Sequence, residues 1–125
     1  MPNKEAPLNE SPTLMESGYY KRIVQDLRET ALTASELAEI AQVKERQVFH
    51  WSAGTHRPQG EVRDRLLETA YVIEALKDVY TPEGVDIWIH GRNRGLGGER
   101  PIDLLRQGQF APVLNAVERL KTGAM

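Results

Sequence analysis

The side chains that could do chemistry in this sequence are few. His50, His56 and His90 are its three histidines, and none has an acidic residue at the spacing a metal site or an acid–base pair requires. Glu99 and Asp103 are near neighbours, but Asp103, just after Pro101, fits a helix cap or a helix surface better than a base. The chain has no cysteine, which removes thiol catalysis, zinc knuckles and disulfides. No catalysis, metal or cofactor is expected. Gly95, Gly97 and Gly98 allow the positive φ from which backbone amides build an anion-binding nest. No Gly-Lys-Ser/Thr follows and no strand precedes them, so neither a P-loop nor a dinucleotide fingerprint is present. A structural turn packing Leu96 beneath Trp88 accounts for the same glycines, as does a partner-facing surface built on that turn.

The elements that would carry these residues are helices. With 125 residues, 40% hydrophobic and 27% charged, the chain has the composition of one globular domain or two small lobes sharing a core. A formal charge of −2 speaks against a general polyanion binder, so any nucleic-acid contact must come from a local patch. No apolar run approaches membrane-spanning length and no basic-then-apolar leader opens the chain, which predicts a cytoplasmic protein with no membrane partner. Pro2, Pro7 and Pro12 among polar residues predict a mobile arm over 1–17. Tyr20, Ile23, Val24, Leu27 and Ala31 follow at helical spacing, with Lys21, Arg22 and Arg28 on a solvated face among Asp26 and Glu29. Glu61 to Val79 is the longest predicted helix, and Tyr71 and Val72 widen its stripe so that it is buried on two sides. Thr81-Pro82-Glu83 starts another helix, with a capping Thr and Pro at the first helical position. Short helices follow from Pro101 and from Phe110. No stretch alternates, so the chain is predicted to be all-α.

The most ordered pattern lies between Leu32 and Pro58. Thr33 with Glu36 is a capping box, and Leu37, Ala38, Ile40 and Ala41 form a narrow apolar face behind it. A break at Gln42-Val43-Lys44 leads to a second short helix, with Val48, Phe49 and Trp51 on its inner side and Gly54 at its end. Two short helices joined so tightly make a helix-turn-helix, whose second helix is presented to a major groove. The residues Thr33, Glu36, Leu37, Ala38, Val43, Val48, Trp51, Gly54 and Pro58 resemble the Cro-type (Xre) helix-turn-helix family in one ungapped register. That family usually has Gly at the turn where this chain has Gln42, and a positive φ there costs a non-glycine residue on the order of 1 kcal/mol. In this register Lys44, Glu45, Arg46, Gln47 and His50 face outward. Arg46 would fork onto guanine, Gln47 or His50 would bond base edges, and Glu45 would accept from cytosine. Lys44 and Arg57 sit where phosphate contacts are expected.

The later sequence Asn93-x-x-Leu96-Gly97-Gly98-x-x-Pro101-x-Asp103-Leu104-Leu105, preceded by Trp88-Ile89 and followed by Gly108, Val113 and Val117, resembles the toxin-binding domain of the Xre/MbcA/ParS antitoxin family. Arg92 stands where that family commonly has Pro. Together the two resemblances imply a flexible arm over 1–17, an Xre-like helix-turn-helix domain over 18–58, a connecting helix over 59–80 and a small helical toxin-binding domain over 81–125. They imply an antitoxin of a type II toxin–antitoxin system that occludes a RES-domain toxin, which consumes NAD, and a homodimer that represses its own operon through operator DNA. The antitoxin itself would bind no NAD and would not be an enzyme. Arg92, Asn93, Arg94, Leu96, Arg100, Leu104, Arg106 and the tail Lys121, Thr122, Gly123, Ala124 and Met125 are the expected toxin contacts. The alternative is a stand-alone dimeric transcriptional regulator with no toxin partner.

Overall fold

A computed structural model of the chain describes residues 5–123, with side chains from residue 16 onward. The described residues form seven α-helices and no strand: α1 (Glu5–Thr30), α2 (Ala34–Ala41), α3 (Glu45–Ala53), α4 (Gly60–Lys77), α5 (Pro82–His90), α6 (Pro101–Arg106) and α7 (Phe110–Thr122). A 3-10 turn (Arg94–Leu96) lies between α5 and α6. None of these helices is long and apolar enough to cross a membrane. The first helix departs from expectation, because it begins at Glu5 rather than near Tyr19 and so takes residues 5–17 out of the predicted arm. Pro7 falls in its first turn, where the missing N–H would have had no partner, and only Pro12 removes an interior donor. Met1 to Lys4 lie outside the described residues.

The start of α2 is the capping box the sequence predicted. The Thr33 hydroxyl accepts from the Glu36 N–H at 3.0 Å, and the Glu36 carboxylate accepts from the Thr33 N–H at 2.9 Å. At its other end Gln42 has φ 62 and ψ 47, the one non-glycine residue at positive φ among the described residues. The Val43 N–H reaches back to the Ala38 carbonyl at 3.0 Å, which closes the helix in a left-handed cap. Arg65 of α4 donates to the Ala41 carbonyl from Nε (3.2 Å) and Nη2 (3.0 Å), satisfying an acceptor that the helix end leaves open. Three residues separate α2 from α3, and α3 packs on both α1 and α2. Val48 and Trp51 are buried as predicted, but Phe49 is not on the inner side: it is 47% exposed, with the Arg28 guanidinium 5.0 Å above its ring.

One hydrophobic core runs through both halves. It joins Val24, Leu27, Leu37, Ile40 and Trp51 at the front to Leu66, Ile73 and Leu76 of α4, and continues to Ile89, Ile102, Leu105, Val113 and Val117. Each such side chain contributes roughly 1.5–3 kcal/mol by leaving water. Helix α4 is the spine, touching α1, α2, α5 and α7, while α2 also packs on α6. The stripe of α4 is narrower than predicted, since Tyr71 is 58% exposed while Val72 is buried. Lys77 at the end of α4 is tied to Asp26 of α1 at 2.6 Å.

Candidate functional site

The loop between α5 and α6 is organised by Asn93. Its N–H donates to the Glu99 carbonyl at 3.0 Å, its carbonyl accepts from the N–H groups of Leu96 (3.0 Å) and Gly98 (2.9 Å), and its side-chain oxygen accepts from the Gly95 N–H at 2.8 Å. Such a knot needs tight reversal of the chain, and Gly97 (φ 68) and Gly98 (φ 83) supply it in succession. Arg92 Nη1 donates to the Gly98 carbonyl at 3.1 Å, so this arginine braces the loop from its exposed side. The glycine pattern is therefore a built turn, with Leu96 half-buried against the core and Trp88 likewise.

The turn lies against the far end of α7. A Cβ on Gly95 would come within 3.3 Å of Arg119 Nη2 and 3.2 Å of Asn93 Oδ1, so glycine is what lets that arginine approach. The loop is thereby brought beside Arg119 in the last part of α7, and Lys121, Thr122 and Gly123, which follow it, are exposed. Ala124 and Met125 lie outside the described residues. Arg92, Arg94 and Arg119 are exposed and pair with no carboxylate among the described residues, while Lys121 is 3.4 Å from Asp78. Arg119 is the member of this group that the sequence did not suggest, because its proximity to Gly95 comes from the packing of α7 on the 3-10 turn.

The other expected contact residues are occupied differently. Leu104 is 8% exposed and belongs to the core, so its side chain does not face outward; the six-residue helix α6 buries four of its positions, Pro101, Ile102, Leu104 and Leu105. Arg100 holds Asp103 through two hydrogen bonds, Nε to Oδ2 at 2.8 Å and Nη2 to Oδ1 at 3.0 Å. That grip holds the Asp103 carboxyl below the usual carboxylate range against the opposing effect of burial, and Arg106 adds to it from Nη1 at 2.8 Å. Arg106 also reaches α2, with Nε donating to Glu39 at 2.8 Å. Both arginines therefore act first as struts within this chain.

The strut ends at Glu36, whose second oxygen lies 2.8 Å from His90 Nε2 and 3.9 Å from Arg106 Nη2. The other nitrogen of His90 is 2.9 Å from the Asp86 carbonyl. Both partners can only accept, so only the doubly protonated ring satisfies them together. Burial pushes His90 toward its neutral form, but the Asp86 carbonyl and the Glu36 and Asp86 carboxylates outweigh it and raise the imidazole above its ordinary value. Neither His50 nor His56 shares this arrangement; their rings lean on each other with centroids 4.4 Å apart.

On α3, Lys44, Glu45 and Arg46 are exposed at the helix start, and Gln47 and His50 are half-buried. Arg57 is paired with Glu16 of α1 at 2.6 Å. The exposed Phe49 adjoins this group, although its spacing predicts an inward position.

No family model matches the chain. It is 38% identical over 102 residues to the probable mycobacterial cidal antitoxin Rv3188 of Mycobacterium tuberculosis, a match covering 82% of this chain and 87% of the relative. It is 35% identical over 92 residues to the mycobacterial cidal antitoxin MbcA of Mycobacterium bovis, covering 74% and 81% respectively. A chain in the crystal structure of the M. tuberculosis MbcT–MbcA toxin–antitoxin complex superposes with a TM-score of 0.72 at 32% identity, covering 84% of this chain and 96% of that one.

Proposed function

From the premise that the chain belongs to the family of mycobacterial cidal antitoxins, we propose that it binds and neutralises a cognate toxin through the loop 92–96 and the end of α7. The observation that carries this reading is the likeness of most of the chain to one seen in a toxin–antitoxin complex. Three exposed arginines without carboxylate partners, Arg92, Arg94 and Arg119, support the choice of surface, since a guanidinium fork fits carboxylates on a partner. The partner is a RES-type toxin that consumes NAD, and the arginines occupy carboxylates that would otherwise hold its cationic nicotinamide substrate. Lys121, Thr122, Gly123, Ala124 and Met125 lie across the entrance to its active site. Arg100 and Arg106 contribute by keeping α6 in place, and Leu104 supports the surface from within. The chain itself is not an enzyme and takes no cofactor.

The same reading gives the front of the molecule a second role. Helices α2 and α3 act as a helix-turn-helix on the operator of the shared operon, with two copies of the chain reading a pseudo-palindrome. Arg46, Gln47, His50 and Glu45 meet base edges and Lys44 meets phosphate. Arg57 exchanges Glu16 for phosphate on binding.

Co-expression with the product of the neighbouring open reading frame, followed by purification through a tag on one partner, is expected to give a stoichiometric complex. The double change Arg92→Glu and Arg94→Glu should weaken that complex by about tenfold or more without altering the circular dichroism spectrum. Absence of a complex, together with tight operator binding by the lone chain, would replace the antitoxin with a stand-alone dimeric regulator.

A further inference from the structure

Phe49 is a feature of the front half that core packing does not explain. It is a large apolar ring on a nine-residue helix, nearly half exposed, while its neighbours Val48 and Trp51 are sealed in the core. Helical spacing puts it three residues after Arg46 and four after Glu45, so the three share one face of α3, and all three are exposed. The ring is also held. Arg28 of α1 donates from Nη1 to the Ser52 hydroxyl at 3.1 Å, Gln25 donates to the Ser52 carbonyl at 3.1 Å, and the Arg28 guanidinium lies over the Phe49 ring. An exposed aromatic covered on one side by Arg28, on the helix that Lys44 and Arg46 open, is suited to a surface that is anionic overall and apolar at one point.

A DNA major groove offers that combination at thymine, the base whose edge carries a methyl group. We propose that Phe49 reads a thymine: its open side packs on the 5-methyl group, while Arg28 fixes the ring and adds positive charge toward the backbone. This rests on the operator-binding reading above and adds to it a specificity-determining residue and the base it selects. A protein partner is the less favoured occupant, because the exposed cations Arg28, Lys44 and Arg46 outnumber Glu29 and Glu45, the exposed carboxylates next to them in the chain.

The test uses the full chain and a duplex from the region upstream of its own gene, with the protected stretch located by footprinting. Thymines in that stretch are replaced one at a time by uracil, which removes only the methyl group. At one position in each half-site the wild type should lose about fourfold in affinity, the worth of a single methyl. Phe49→Ala should bind the thymine duplex correspondingly less well and no longer distinguish thymine from uracil there. Arg28→Ala should narrow the thymine–uracil difference, and Tyr71→Ala, an exposed aromatic on α4, should leave it intact. If the wild type treats thymine and uracil alike throughout, or Phe49→Ala keeps the difference, the thymine assignment is overturned while operator binding stands. If the wild type retains no upstream duplex at all, both fall. If Phe49→Ala spares the duplex but loses the toxin, the ring belongs to a protein interface and the proposal is overturned.

Discussion

At the scale of single residues, Glu36 joins what the sequence separates. One of its oxygens closes the capping box of α2, and the other meets His90, 54 positions further along. His90 is raised above its unfolded value, so its contribution to stability is complete below about pH 6.5 and is lost as the pH climbs through the raised folded value. The melting temperature of the wild type should therefore fall relative to His90→Gln between about pH 6 and pH 8; parallel profiles would remove His90 from the account. The Thr33–Glu36 half of this arrangement was legible in the sequence, because a capping box is local. The His90 half was not, since nothing in the chain says that the end of α5 will lie over the start of α2. Asp86, one helical turn before His90 and 3.0 Å from its Nδ1, is by contrast a local partner, and it corrects the expectation that no histidine has an acidic residue at pairing spacing.

At the scale of elements, the turn between α2 and α3 carries a measurable strain. Gln42 adopts a left-handed conformation, at the turn position where the Cro-type pattern it resembles usually has glycine, and the conformation was foreseeable from that departure. Gln42→Gly should stabilise the protein by about 0.5–1 kcal/mol, seen as a higher denaturation midpoint with unchanged slope. Other element-level expectations failed where helices are short. Nine residues of α3 give little more than two turns, too few for spacing to tell Phe49, at the edge of the buried stripe, from Val48 inside it. In α6, Leu104 looked like part of an exposed motif, yet the helix is pinned between α2, α5 and α7 and shows little besides Asp103 and Arg106 to solvent. The loop before it was more readable, because consecutive positive-φ glycines after Asn93 leave a turn few alternatives.

At the scale of the whole molecule, the division into a front and a back half is one of surfaces rather than of cores. Leu66, Ile73 and Leu76 of α4 sit in a single apolar cluster with residues from both ends of the chain. Unfolding should accordingly be one transition. In Trp88→Phe, with Trp51 as reporter, and in Trp51→Phe, with Trp88 as reporter, fluorescence and far-ultraviolet circular dichroism should give the same midpoint within each variant. A separate early transition at either tryptophan would mean two lobes that melt independently. The sequence allowed both a single domain and two lobes sharing a core, because hydrophobic spacing identifies buried faces without saying which faces meet. The shared interior has a consequence for turnover in the cell. A protease that catches the chain open anywhere along α4 unmakes the loop 92–96 and the tip of α3 in the same event, so any partner bound at either end would be released with the other and at one rate.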